Sequence, residues 1–232
     1  MLFFMTKPKV FIVIPAYNEA KRLGTVLKRL KKEGYQQVIV VDDCSTDATA
    51  AVAKRAGATV IVHKKNQGQG AGLRTGINAA VKRKADIIVT FDADGQHDPG
   101  EIIGLTTPIA RGEADVVLGS RFLGQHPGMP WYKWVTLKGS ILVERLLLGV
   151  KLSDVHNGFR ALSAKAARRI RITRDGMAHA SEIVYEVKRK KLSYVEVPVT
   201  ITYDAYVRAK GQSIFNAFSI LWEILKVRLG KK

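Results

Sequence analysis

The feature that most limits how this chain can fold is a regular alternation over its first 120 residues. Short apolar runs at Val10–Ile14, Gln37–Val41, Thr59–Val62, Asp86–Phe91 and Asp115–Leu118 take turns with longer amphipathic stretches. A strand half open to water shows every second residue polar, whereas one covered on both faces reads as a continuous apolar run. The alternation therefore predicts a mostly parallel sheet with helices on both sides, an α/β fold. The expected helices start at Asn18/Glu19 and reach about Lys32, then follow Ser45 or Thr46 as N-cap with Asp47 in the first turn, then run from about Gly70 to Lys82 and over Pro99–Ala110.

The remainder is less regular. It predicts an apolar helix at Trp131–Gly149, a strand at Gly158–Ser163, a helix at Ser181–Lys190, one or two strands over Tyr194–Tyr203 interrupted by Pro198, and a final amphipathic helix at about Ser213–Leu229. With no repeat, low-complexity tract or linker, residues 1–232 are expected to form one domain. The 38 Lys+Arg against 20 Asp+Glu give a net charge of +18, read either as a Lys-rich solvated surface or as the mark of an anionic partner: nucleic acid, an anionic membrane surface or phosphorylated small molecules. A single cysteine, Cys44, excludes an intramolecular disulfide and a multi-cysteine metal site. The opening MLFFMTKPKV lacks the features of a signal peptide, and no stretch has the roughly 20 uncharged apolar residues of a spanning helix.

In an open parallel sheet, ligands bind at the carboxyl ends of the strands. Here those ends are polar: Pro15-Ala16-Tyr17-Asn18-Glu19 after the first strand, Asp42-Asp43 after the second, and Asp92-Ala93-Asp94-Gly95-Gln96-His97 after the fourth. Neighbouring carboxylates repel unless a cation neutralises them. The D-x-D spacing lets Asp92 and Asp94 converge on one hard divalent ion, Mg²⁺ or Mn²⁺, with Gln96 as a further donor and His97 either as a donor or as a support behind the ligands. Asn66-Gln67-Gly68-Gln69-Gly70-Ala71-Gly72 fits neither the dinucleotide nor the Walker fingerprint, and is read as a Gly-rich helix entry able to bring backbone close to a ligand, or as a plain turn. Arg74, Arg121, Arg160 and Arg208 are the candidate diphosphate contacts, since arginine pairs bidentately with phosphate.

Taken in order, Ile14-Pro15-Ala16-Tyr17-Asn18-Glu19, Val41-Asp42-Asp43, Asn66–Gly70 and Phe91–His97 resemble glycosyltransferase family 2. Gly119-Ser120-Arg121, Asn157-Gly158-Phe159-Arg160 and Arg208-x-x-Gly211-x-Ser213 extend the resemblance towards its polyprenyl (dolichyl) phosphate mannose or glucose synthase branch. It implies a GT-A, Rossmann-like nucleotide-sugar-binding fold, a nucleotide-sugar donor, a divalent metal and inversion at the sugar. It further implies that Pro15, Tyr17, Glu19, Asp42, Asp43 and Gly68 surround the nucleotide, and that Asp92, Asp94 and Gln96 hold the metal. Arg121, Arg160, Arg208 and Ser213 would bind phosphate groups, with Asp94, Arg121 and Arg208 at the heart of catalysis. The family's frequent Ser-Gly-Phe-Arg and Gly-x-Ser-Lys become Asn157-Gly158-Phe159-Arg160 and Gly211-Gln212-Ser213-Ile214 here, the second with a cation fewer.

On this reading the enzyme moves a hexose, mannose first among the candidates, from GDP-mannose or a UDP-hexose to a polyprenyl or dolichyl phosphate. It would do so peripherally at the cytoplasmic face of a membrane, alone or with a membrane-spanning partner subunit. A phosphate acceptor is already anionic and needs no base; for a hydroxyl acceptor, Asp154 is the candidate base. Trp131, Trp134 and the apolar run to Leu148 are read as an interfacial surface or acceptor groove. The rivals are a glycosyltransferase using a soluble or glycan hydroxyl, and a nucleotidyltransferase, whose Gly-rich loop after the first strand is replaced by Pro15–Glu19. A nucleic-acid-binding module is not expected, because the basic residues are dispersed.

Overall fold

A computed structural model describes residues 8–149 and 151–210 of the chain. The elements follow one another as β1 (Val10–Ala16), α1 (Ala20–Lys32), β2 (Val38–Asp42), α2 (Thr49–Arg55), β3 (Thr59–Val62), α3 (Gln69–Lys82) and β4 (Ile87–Thr90). A 3-10 turn at Pro99–Glu101 leads into α4 (Ile102–Ala110), β5 (Val116–Gln125) and α5 (Trp131–Leu148). Then come β6 (Arg160–Ser163), α6 (Ala164–Arg169), α7 (His179–Arg189), β7 (Tyr194–Thr200) and α8 (Ala205–Lys210). The expected amphipathic helix at 213–229, and Ser213 with it, lie outside the described residues.

The strands form one seven-stranded sheet in the order β3-β2-β1-β4-β6-β5-β7. All pairings are parallel except those of β6, which runs antiparallel between β4 and β5. The α/β class with a mostly parallel sheet is as the sequence predicts. Alternate residues of each strand enter opposite faces: Val13 and Val41 join Leu73, Ile77, Ile183 and Val184 on one side, while Ile12 and Ile14 join Leu23, Leu27, Ile102 and Leu105 on the other. Leu23, Val26, Leu27 and Leu30 of α1 recur at helical spacing and are all buried. Each such side chain contributes about 1.5–3 kcal/mol of burial.

Local expectations fail where a side chain finds a more distant partner. Ser45, Thr46 and Asp47 do not cap α2, which begins at Thr49 without a side-chain cap. Asp47 instead bonds Thr49 and the amide of Ala20, while Asn18, at φ 54°, accepts from the amide of Thr46. These bonds stitch the β1–α1 and β2–α2 loops into one polar rim. Pro198 does not interrupt β7, since β7 is the outer strand of the sheet and a missing donor there costs no ladder bond. Among the described residues no helix is long and apolar enough to cross a membrane.

Candidate active site

The parallel strands β1, β2 and β4 deliver their carboxyl ends to one rim, so the polar sequence clusters meet there. Pro15 closes β1 against Gly72 of α3, where a side chain would come within 3.0 Å of the proline Cβ. Tyr17 beyond it is largely exposed. Glu19 is buried, with its amide on Thr49 Oγ1 and its carboxylate accepting from Tyr206 Oη at 3.1 Å. Asp42 is buried at the end of β2 and accepts from the amide of Ser45.

Asp43 and Gly68 meet, but each holds the other. Asp43 accepts from the amides of Gln67 and Gly68, the latter at 2.6 Å, and from His63 Nδ1 at 2.7 Å. The glycines of 68–72 do admit a close backbone approach, though the visitor is a second loop of the chain. A Cβ on Gly70 would lie 2.0 Å from the carbonyl oxygen of Arg174, and one on Gly68 would lie 2.5 Å from that of Asp175. The Asp175 carbonyl accepts the Gly70 amide at 2.7 Å, capping α3. Arg74 bonds the carbonyl of Ile172 and pairs with Asp175 at 2.8 Å, so it clamps the 172–176 loop.

The D-x-D segment leaves β4 and is held from several directions. Asp92 accepts from Gln69 Nε2 at 3.2 Å and bonds His97 Nε2 at 3.0 Å. His97 is itself buried, stacked on Phe159 and edge-on to Phe91, which fixes its ring as the orienter of Asp92. Desolvation pushes the Asp92 carboxyl up, but His97, His179 and Arg121 together hold it below the usual range. Desolvation and the neighbouring Asp92 push Asp94 up to about 6. A Cβ at 158 would stand 2.9 Å from Asp92 Oδ2, so a larger residue there would displace the carboxylate. Gln96 and His97 are anchored to β7's extension, with Gln96 Nε2 donating to the Thr202 carbonyl and His97 bridging Ile201. That bond commits the amide nitrogen, so the side-chain carbonyl oxygen is the atom with which Gln96 could hold a cation.

Two mutually repelling carboxylates and an amide oxygen are a hard-oxygen set suited to Mg²⁺ or Mn²⁺. Among the described residues no group of three or more His, Cys, Asp or Glu side chains has the geometry of a metal site. An ion held by Asp92, Asp94 and Gln96 would draw the rest of its coordination from phosphate and water.

The arginines divide. Arg121 is buried on β5, with Nε 2.6 Å from Asp154 Oδ2 and Nη1 donating to Tyr203 Oη at 2.5 Å. Arg160 turns inward, donating to the carbonyls of Asn157 and Val155, and burial lowers it to about 10. Its contacts hold the loop that carries Gly158. Arg208 is exposed on α8, beside the Tyr206 that reaches Glu19. Asp154 is fully enclosed under Arg121, which gives it no open route to an acceptor hydroxyl.

Sequence reasoning did not single out Lys133, which lies over the Tyr203 ring at 4.9 Å. Burial, and next the charge of Arg121, lower its pKa, while Asp94 opposes them. Its helix α5 exposes Trp131 and Trp134, which with His126, Met129 and Val135 line a groove of about 280 Å³. Nothing local marks Lys133 in a chain with 38 basic residues; only its fold neighbours do.

The sequence model described as "Glycosyl transferase family 2" matches residues 11–171, most of the chain. The chain belongs to glycosyltransferase family 2. It is 32% identical over 248 residues to a UDP-N-acetylglucosamine–dolichyl-phosphate N-acetylglucosaminyltransferase of Methanococcus voltae, covering 98% of this chain and 99% of the relative. To an undecaprenyl-phosphate mannosyltransferase of Micrococcus luteus it is 30% identical, covering 96% and 99%. The resemblance to the polyprenyl phosphate branch is thus met by relatives bearing such names. A solved glucosyl-3-phosphoglycerate synthase of Mycobacterium tuberculosis, in complex with Mn²⁺ and UDP-glucose, superposes with a TM-score of 0.74 at 19% identity, covering 97% of this chain and 80% of that one. This glycosyltransferase accordingly has the GT-A fold.

Proposed function

We propose that this glycosyltransferase transfers a hexose from a nucleotide-sugar to a polyprenyl or dolichyl phosphate, with inversion, at a membrane surface. The observation that carries the reading is the meeting of three unlike surfaces. The charge of Arg121 acts on Asp92 and that of Asp94 on Lys133, and Lys133 belongs to the same helix, α5, as the Trp131 and Trp134 that line the apolar groove. A donor diphosphate, an acceptor phosphate and an isoprenoid chain need those surfaces in that order. The names of the Methanococcus and Micrococcus relatives support the acceptor class, and leave mannose and N-acetylglucosamine both open as the transferred sugar.

Tyr17, Glu19 and Asp42 stand at the rim where the nucleoside would lie, with Pro15 fixing the strand end. Asp92, Asp94 and Gln96 would hold Mg²⁺ or Mn²⁺, which supplies Lewis-acid stabilisation of the leaving nucleoside diphosphate. Arg121, Lys133 and Arg208 would bring the acceptor phosphate behind the anomeric carbon and offset its charge. A phosphate oxygen then bonds that carbon as the bond to the diphosphate breaks. Since the acceptor is already an anion, the enclosed Asp154 is needed to hold Arg121 and not to remove a proton. The exposed α5 tryptophans and the net charge of +18 favour peripheral docking on the anionic, cytoplasmic face of a membrane, where a spanning partner subunit would also sit.

The test is incubation with labelled GDP-mannose, UDP-glucose and UDP-N-acetylglucosamine, polyprenyl phosphate and Mg²⁺ or Mn²⁺. Label should enter the lipid phase with at least one donor, and chelation of the metal should stop it. Transfer only to a soluble hydroxyl acceptor overturns the lipid assignment.

A further inference from the structure

Helix α5 is attached to the body in an unusual way. Of its residues 131–146, only Ile141 and Glu144 are buried. Glu144 is 1% exposed, and a carboxylate in that position is costly unless something receives it. Ser181 of α7 donates to its Oε1 at 2.5 Å, and His156 Nε2 lies 3.5 Å from the same oxygen. Glu144 Oε2, His156 Nε2 and Asp154 Oδ1 are all buried without a hydrogen-bond partner among the described residues. The neighbouring Arg145 adds a tie from α5 to the carbonyl of Leu152.

We infer that Glu144 is a positioning residue, the anchor that docks the last turns of α5 onto α7 and the 152–157 loop. It thereby holds Lys133 and the tryptophan groove at the active site. The inference rests on the reading of α5 as the acceptor wall. The groups facing Glu144 are Ser181, His156, Asp154 and Arg160. Burial raises its pKa to about 7, Asp154 adding to the rise while Ser181 and Arg160 oppose it. Burial also lowers His156 to about 4, so that ring is neutral over the same range. An undocked Glu144 would titrate at its ordinary 4.5. Docking is therefore tightest below that value, weakens as the pH rises towards 7, and is level above it.

Hydrogen exchange of peptides from 131–148 tests the anchor without any substrate. After correction for intrinsic exchange, protection in the wild type should fall roughly tenfold or more between pH 5 and 7 and then level off. Glu144→Gln, which still accepts from Ser181 but cannot ionise, should keep the protected level throughout. Glu144→Leu should lose protection at every pH, and its KM for polyprenyl phosphate should rise about tenfold while the donor KM stays put. Unchanged α5 exchange in Glu144→Leu, or the wild-type pH dependence persisting in Glu144→Gln, overturns the anchor. Loosened exchange with an unmoved acceptor KM overturns the positioning role. Absence of any lipid transfer by the wild type would instead count against the proposed acceptor, and the exchange result would still decide the anchor.

Discussion

At the scale of single residues, the D-x-D pair shows how far spacing alone can reach. The place of Asp92 and Asp94 beyond the end of β4, close enough to repel one another, was legible because a strand end fixes where both side chains emerge; their hold on a metal belongs to the proposed function. The roles of Asp43 and Arg160 were not, because their partners lie far along the chain: the Gly68 amide for one, loop carbonyls for the other. Asp92→Asn and Asp94→Asn should each lower metal-dependent transfer at least ~100-fold while leaving the denaturation midpoint nearly unchanged. Full activity of either with Mn²⁺ would remove these residues from the metal site. Desolvation and Asp92 hold the Asp94 carboxyl up at about 6 in the metal-free protein, so a proton competes with the cation below that pH. Mn²⁺ titrations in the presence of a nucleoside diphosphate should then show apparent affinity dropping about tenfold per unit below pH 6 and level above it. An affinity flat from pH 5 to 7 would exclude Asp94 as a ligand.

At the scale of elements, the sequence located the strands and long helices: β1, β2 and β4 read as apolar runs because both their faces are buried, whereas β3 and β7, only partly buried, show through their β-branched residues. It missed α6 and α8, which are six residues each and too short to show a helical period. It also left the 68–72 glycines undecided between ligand cradle and turn. The structure supplies a third answer, a seat for the loop that crosses the start of α3. Gly70→Ala should accordingly cost about 2–3 kcal/mol in urea unfolding, because the obstacle is backbone and cannot rotate away. Asp154→Asn should cost about 3 kcal/mol by leaving the buried Arg121 without its counter-charge. Loss of transfer without loss of stability in that variant would mean Asp154 acts directly on substrate.

At the scale of the whole molecule, a charge of +18 acts at a distance that no single contact has. Screening shortens that reach to about 10 Å at 0.1 M salt. Sedimentation with vesicles should therefore show binding to anionic lipid that falls steeply with added NaCl, and little binding to neutral lipid. Binding indifferent to salt and lipid charge would leave the exposed tryptophans of α5 as the whole attachment. The sheet order has a separate consequence, for synthesis of the chain. β4 and β5 never pair with each other; β6, made long after both, runs between them and brings Gly158 against Asp92. While the chain emerges from the ribosome, β5 must wait beside a gap one strand wide, with two unpaired edges open to other polypeptides. The arrangement that seals the carboxylates into place thus leaves the newborn chain open to mispairing until Arg160–Ser163 fills the gap and Tyr194–Thr200 covers the far edge of β5.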